Sequence, residues 1–121
     1  MKLGKKATGG RYKRFRKKKL FEIRGKERNV KLIDKIKNKK LRIRGGANKT
    51  VLLGTNLANV LDKKTGKITK MKILNVIETP ANRFLARSNI MTKGTIIETE
   101  KGNARITNRP GQEGKIEAVL I

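Results

Sequence analysis

The sequence predicts a mainly β protein, a small closed or partly open β-barrel preceded by a basic, extended N-terminal arm. From residue 41 onward, short apolar stretches with strand-like alternation recur between glycine-rich turns, a spacing typical of small barrels and sandwiches. Residues 1–50 hold 21 of the 33 basic side chains but only 3 of the 9 acidic ones. The 121 residues suffice for one modest core. We therefore expect a basic extension over residues 1–40 and a β-barrel domain over residues 41–121.

The arm is the most basic part of the chain, since its first 19 residues contain ten Lys or Arg and no acidic residue. Its sizeable apolar or aromatic groups are Leu3, Tyr12 and Phe15, which offer too little apolar surface to offset the entropy cost of ordering the backbone. We expect the arm to be extended, or disordered when the protein is free.

The segment from residue 20 to residue 40 has only a weak apolar pattern. Near residues 29–38 the pattern is compatible with a helix, and a solvated, partly helical segment is an equal alternative to a packed one.

Strand-like alternation begins at residue 41. Residues 41–44 alternate with period two, Gly45 and Gly46 predict a turn, and residues 50–53 form a short apolar run. If residues 41–44 are extended, Arg42 and Arg44 lie on one face of the strand, opposite the side that faces the core.

The remainder of the chain predicts further short strands joined by turns. Residues 80–87 interrupt this pattern, and Pro80 at a first helical position predicts one helical turn or an ordered loop. The predicted turns cover residues 62–66, 101–103 and 110–114. The predicted strands cover residues 56–61, 68–77, 95–99, 104–108 and 115–121.

The composition argues against an enzyme. Cysteine and histidine are absent, which removes disulfides, thiolate metal sites and the usual general base. Glu98 and Glu100 are the remaining catalytic candidates, and a solvated surface role is the favoured alternative for both. No phosphate-binding loop has the required glycine spacing. We expect no catalytic residue, no metal and no cofactor.

Neither a membrane-spanning segment nor a signal peptide is predicted. No apolar run approaches the roughly 18 residues of a membrane-spanning helix, and the N-terminus lacks the apolar stretch of a signal peptide. We therefore expect a cytoplasmic protein without a membrane partner.

The charge points to a polyanionic partner. A net charge of +24 exceeds what solubility requires, and contacts with nucleic-acid phosphates release condensed counterions. The arm is the first candidate contact region, where Tyr12 and Phe15 also offer stacking surfaces for unpaired bases. The alternative is a solvated tail. The candidate residues of the arm are Lys5, Lys6, Thr8, Gly9, Gly10, Arg11, Lys13, Arg14, Arg16, Lys17, Lys18 and Lys19.

Two further sets of candidate RNA contacts lie beyond the arm. The second set surrounds the predicted hairpin, for which an ordinary exposed hairpin is the alternative; it contains Lys39, Lys40, Arg42, Arg44, Gly45, Gly46, Asn48 and Lys49. The third set is scattered among the later loops, where simple solvation is the alternative; it contains Arg83, Arg87, Lys93, Arg105 and Arg109.

Three blocks of the sequence carry a resemblance to a known family. They are residues 8–19 with the nearby Glu22, the stretch Arg42-Ile43-Arg44-Gly45-Gly46-Ala47-Asn48-Lys49, and residues 89–99 together with 102–114. These blocks resemble the small-subunit ribosomal protein numbered eight of the archaeal and eukaryotic series. The chain lacks the long insertion of the eukaryotic members, so it resembles the archaeal ones.

The resemblance implies a β-barrel body with a basic extension that binds small-subunit ribosomal RNA. It also implies other small-subunit ribosomal proteins as partners, a place in the cytoplasmic ribosome, and no catalysis, cofactor or small-molecule substrate. Two alternatives remain open. One is a ribosome-biogenesis factor of the same family, and the other is a basic DNA-compacting protein.

Overall fold

The computed structural model describes residues 3–13, 15–23, 25 and 27–121. In these residues two 3₁₀ turns, Leu20–Glu22 and Arg44–Gly46, accompany the strands and the α-helix. In chain order these elements are β1 (Val30–Lys31), β2 (Lys37–Arg42), β3 (Asn48–Gly54), β4 (Leu57–Leu61), β5 (Ile68–Glu78), α1 (Arg83–Ala86), β6 (Ile90–Met91), β7 (Ile96–Thr99), β8 (Gly102–Ile106) and β9 (Glu117–Leu120).

Five of the strands close into a barrel in the order β4-β5-β7-β8-β9. Strands β4 and β9 complete the circle in parallel, and the other neighbours pair antiparallel. The predicted mainly β fold with a small barrel is therefore confirmed, and the barrel is of the closed kind. Closure leaves none of these five strands with an unpaired edge on which another chain could pair.

The other four strands form a second sheet in the order β2-β3-β1-β6. Val30 of β1 is 1% exposed, pairs with Met91 of β6 and belongs to the core cluster. The interpretation of residues 29–38 as weakly helical is therefore wrong. Pairing with β3 and β6, both distant in sequence, overrides the weak local periodicity. The predicted domain boundary at residue 40 falls inside β2 and stays a prediction.

The core cluster consists of aliphatic side chains and two methionines, Met71 and Met91. Alternate residues of the strands point inward, as in β4, where Ala58 and Val60 are buried, and in β8, where Ala104 and Ile106 are buried. Small and β-branched side chains suit the narrow interior of a five-stranded barrel. The four aromatic residues of the chain all lie on the surface; they are Tyr12, Phe15, Phe21 and Phe84.

The backbone approaches most closely at Gly54, the last residue of β3. A Cβ atom at this position would lie 2.5 Å from the Cδ1 atom of Ile33 and 2.8 Å from the carbonyl oxygen of Lys31. Gly54 pairs with Lys31 of β1 and also with Lys37 of β2, so three segments meet there. Only glycine, which has no Cβ atom, leaves room for this close approach of the backbone.

Helix α1 is the single helical turn predicted for residues 80–87. The side chain of Asn82 caps it by accepting a hydrogen bond from the backbone N–H of Phe84 at 3.0 Å. The helix begins at Arg83, so the placement of Pro80 at a first helical position is wrong. An Asn N-cap with extended backbone fixes the start of the helix, and Pro80 belongs to the preceding turn.

Candidate nucleic-acid interface

The first part of the arm forms a tight turn. The backbone N–H of Lys6 donates to the carbonyl of Gly10 at 2.7 Å, and that of Gly9 donates to the carbonyl of Lys6 at 3.0 Å. Gly9 has φ +83°, which a residue with a side chain rarely adopts. The Nζ atom of Lys6 lies 5.6 Å from the ring centroid of Tyr12. The turn thus presents basic, glycine and aromatic candidates together.

All candidates of the arm that the structure describes are exposed, while Arg14 lies outside the described residues. Arg16 differs from its neighbours because its guanidinium donates two hydrogen bonds to the carboxylate of Glu22, at 2.8 and 2.5 Å. The same carboxylate accepts from the backbone N–H of Lys19 at 3.2 Å. Arg16 holds the pKa of Glu22 below its ordinary value. This pair shapes the turn that carries the exposed side chains of Leu20 and Phe21.

The second set of candidates lies on the β2–β3 hairpin. The two strands pair antiparallel from Lys39 opposite Val51 to Arg42 opposite Asn48. The connection is a 3₁₀ turn in which Gly45 and Gly46 both have φ +82°. Strand β2 ends at Arg42, so the prediction that Arg42 and Arg44 share one strand face is wrong. The left-handed glycines turn the chain just after the strand, and both arginines remain exposed.

Lys49 is the one half-buried cation among the hairpin candidates. Its Nζ atom donates to the side-chain oxygen of Gln112 at 2.6 Å, which links β3 to the loop before β9. Lys49 therefore supports a protein contact, and the exposed cations Lys39, Lys40 and Arg42 face solvent.

The third set of candidates is divided by the fold. Arg83 and Arg87 lie at the two ends of α1, where the guanidinium of Arg83 is 5.2 Å from the ring centroid of Phe84. Arg105 lies on the outside of the barrel in β8. Lys93 and Arg109 line the same cleft, so only these two members of the set come together.

Arg28 joins Lys93 and Arg109 in that cleft, and the sequence analysis missed it. Its Nε atom donates to the carbonyl oxygen of Gly111 at 3.3 Å, across 83 residues of sequence. No local signal identifies Arg28, because its neighbours in the cleft are brought there by the pairing of β1 with β6.

A second basic cluster that the sequence analysis missed lies at one end of the barrel. The β4–β5 turn brings Lys63 and Lys64 to the β7–β8 turn, which carries Lys101. Asp62 accepts from the backbone N–H of Lys64 at 2.9 Å and from the hydroxyl of Thr65 at 3.0 Å. These hydrogen bonds, with a smaller contribution from Lys101, lower the pKa of Asp62. The carboxylate of Asp62 therefore stabilises the turn.

Carboxylates neutralise little of the basic surface. Within residues 3–13, 15–23, 25 and 27–121, Arg16 pairs with Glu22 and Lys115 with Glu117, and no other ion pair occurs. Glu98 in β7 and Glu100 in the following turn are both exposed. In the same part of the chain, no group of three or more acidic side chains is placed to hold a metal ion. The surface is suited to binding a polyanion.

No helix in the described part of the chain combines the length and apolar character needed to cross a membrane.

The fold and the surface define a class of protein, a small β-barrel whose largely unneutralised cations face outward. Residues 2–121 match the model of the family described as Ribosomal protein S8e. The chain therefore belongs to the S8e family of ribosomal proteins. This match confirms the resemblance carried by the three sequence blocks.

Curated relatives from archaea support the assignment of the chain to this family. The chain is 47% identical over 117 residues to small ribosomal subunit protein eS8 of Methanocella arvoryzae, covering 97% of this chain and 93% of that protein. The same coverage holds for the protein of that name from Methanocorpusculum labreanum, which is 51% identical. The eS8 protein of Methanococcus aeolicus is 48% identical, over 97% of this chain and 91% of its own length.

Proposed function

We propose that this protein is a structural constituent of the small ribosomal subunit that binds and stabilises small-subunit ribosomal RNA through phosphate contacts. The observation that carries the proposal is the match of residues 2–121 to a ribosomal protein family. The small number of ion pairs on the described surface supports it. We propose no catalytic activity, cofactor or small-molecule substrate. Other small-subunit ribosomal proteins are its expected partners, in the cytoplasmic ribosome.

The arm and the β2–β3 hairpin are the proposed primary contacts. Both expose cations on short, local structures, and both turn through left-handed glycines, which allow the backbone to approach RNA closely. A-form RNA has a narrow major groove that side chains read poorly, so phosphates and 2′-hydroxyls are the expected partners of these cations. The mechanism is positioning of RNA helices, with the closed barrel as a rigid support.

The proposed division of the chain follows from the same argument. Residues 1–40 serve as the RNA-binding extension, and residues 41–121 as the barrel domain. In the free protein we expect the extension to be partly disordered, in its first 19 residues, because their charges repel one another until phosphates neutralise them.

Sedimentation of ribosomal particles tests this function. A tagged copy of the full chain is expressed in an archaeal host, the extract is resolved on a sucrose gradient after a moderate-salt wash, and the fractions are probed for mature and precursor ribosomal RNA. We expect stoichiometric retention on mature small subunits. Retention only on precursor particles would indicate a biogenesis factor, and absence from ribosomal fractions would overturn the proposal.

A matched pair of nucleic acids separates RNA positioning from DNA compaction. Affinity for a small-subunit RNA fragment and for duplex DNA of equal length is compared at the same salt concentration. A preference for the RNA supports the proposal. Equal or tighter binding to duplex DNA would instead support a general polyanion binder.

A further inference from the structure

We infer that the cleft between residues 28–29 and the loop before β9 binds one unpaired RNA nucleotide, with cations on its phosphate and polar side chains on its base. This inference rests on the proposed RNA-binding function and adds a specific site and ligand class to it. The cleft has a volume of about 590 Å³, within the range of sites that enclose small ligands.

The cleft exists because three segments diverge from paired strands. Val30 pairs with Met91, so the chain before β1 and the chain after β6 leave the sheet side by side. The third wall is the loop of residues 109–112. It packs on β3 through the backbone N–H of Leu52, which donates to the carbonyl oxygen of Pro110 at 3.2 Å.

This third wall is held firmly on its other side as well. The side-chain amide of Asn108 donates to the carbonyl oxygen of Lys115 at 2.8 Å and accepts from the backbone N–H of Glu117 at 3.1 Å. Gly111 permits the close approach of the opposite wall, since a Cβ atom there would lie 3.3 Å from the carbonyl oxygen of Arg28. The cleft is therefore preformed, which reduces the entropy cost of binding.

Three cations from different walls converge on the cleft. They are Arg28, Lys93 and Arg109, and none of them forms an ion pair with any carboxylate that the structure describes. Arg28 is oriented through its Nε contact with the carbonyl of Gly111, so its two terminal nitrogens remain available for an anion. A guanidinium used in this way suits the two-point binding of phosphate oxygens.

The remaining lining suits a base. Met91 and Pro110 are almost fully buried, so the exposed Ala81 supplies the apolar surface on which the face of a base can rest. Gln112 accepts from Lys49 through its side-chain oxygen, which leaves its amide N–H groups for a base. Glu27 is the single carboxylate in the lining, and it can accept from base N–H donors. Phosphate alone would not use these groups.

Nuclear magnetic resonance of the full chain tests the inference without the ribosome. The probe is guanosine 5′-monophosphate at 150 mM salt, chosen because the edge of guanine presents adjacent N–H donors to a carboxylate. We expect saturable shifts of the amide resonances of Thr92, Gly111 and Gln112. Guanosine and inorganic phosphate, tested separately, should each bind more weakly than the nucleotide.

Arg109→Gln should weaken nucleotide binding about five- to tenfold, because one charge-assisted contact with the phosphate is lost. The control is Arg105→Gln, which removes the same charge from an exposed strand position outside the cleft. Equal effects of the two substitutions, or unsaturable shifts spread over the basic surface, would overturn the inference. Inorganic phosphate binding as tightly as the nucleotide would overturn it as well. Each of these results leaves retention on small subunits, and thus the proposed function, to be judged independently.

Discussion

The barrel and the basic surface differ in whether their interactions are satisfied within the chain. Inside the barrel, Ile97 and Val60 are fully buried among aliphatic side chains, and the polar groups there are largely satisfied, as where the hydroxyl of Thr99 donates to the carbonyl of Gly102 at 2.6 Å. On the surface, cations such as Lys39 and Arg42 have no carboxylate partner in the described part of the chain. The barrel is complete within the chain, whereas the surface charges need an external anion.

The largest expected effect is on the barrel. Ile97→Ala removes a side chain that is 0% exposed and leaves a cavity, so we expect a loss of about 2–5 kcal/mol in the free energy of unfolding. Urea denaturation followed by circular dichroism measures this loss. The control is Ile68→Ala, where the side chain is 69% exposed and the expected loss is small. Similar losses for both variants would contradict a closed, well-packed barrel.

The close approach at Gly54, where β1, β2 and β3 meet, is expected to be the next most sensitive position. Gly54→Ala places a methyl group against Ile33 and the backbone of Lys31, so we expect destabilisation by about 1–3 kcal/mol from overpacking. The midpoint of thermal unfolding reports it. Gly4→Ala is the control, because nothing lies within 4 Å of the added methyl group. An unchanged unfolding midpoint for Gly54→Ala would mean that the backbone of β1 does not lie as close to Gly54 as described.

On the basic surface, substitution should change binding and leave stability intact. Arg42→Gln should reduce the slope of log affinity for small-subunit RNA against log salt by about one unit, because one phosphate contact is lost. Thermal unfolding should not change. Lys115→Gln, whose Nζ atom already lies 2.6 Å from Glu117, should reduce the slope less. An unchanged slope for Arg42→Gln would remove the hairpin from the interface.

The smallest expected effect concerns the Arg16–Glu22 pair. The pair lowers the pKa of Glu22, so its contribution to the turn is fully present above the ordinary glutamate pKa, about 4.3. It is lost as the pH falls through the lowered value. The amide resonance of Lys19, which donates to Glu22, should report this titration. The corresponding transition should be absent in Glu22→Gln, and a midpoint above the ordinary value would contradict the pairing.

Local patterns were sufficient for most of the elements. The strands β3, β5 and β7 and the turn at Gly66, with its φ of +67°, lie where alternation and glycine predicted them. The single helical turn lies within residues 80–87 as expected, but it begins at Arg83 and not at Pro80. Strand β1 could not be predicted in this way. It has two residues, too few for any periodicity, and it exists because Val30 fits between β3 and β6.

The candidate site shows the same division. Charge density by itself identified the arm and the hairpin, and the structure confirms that their described cations are exposed, apart from the half-buried Lys49. Charge density could not show that Arg16 is paired with Glu22 or that Lys49 is hydrogen-bonded to Gln112. Whether these groups contact RNA remains a prediction.

The sequence by itself determined the class of fold, the basic character and the family resemblance. Each of these follows from composition or from residues close together in the chain. Tertiary structure alone decided that the barrel closes between β4 and β9 and that Arg28 meets Lys93 and Arg109 in one cleft. These features join residues that are far apart in the chain, and their positions depend on strand pairing, which local periodicity does not encode.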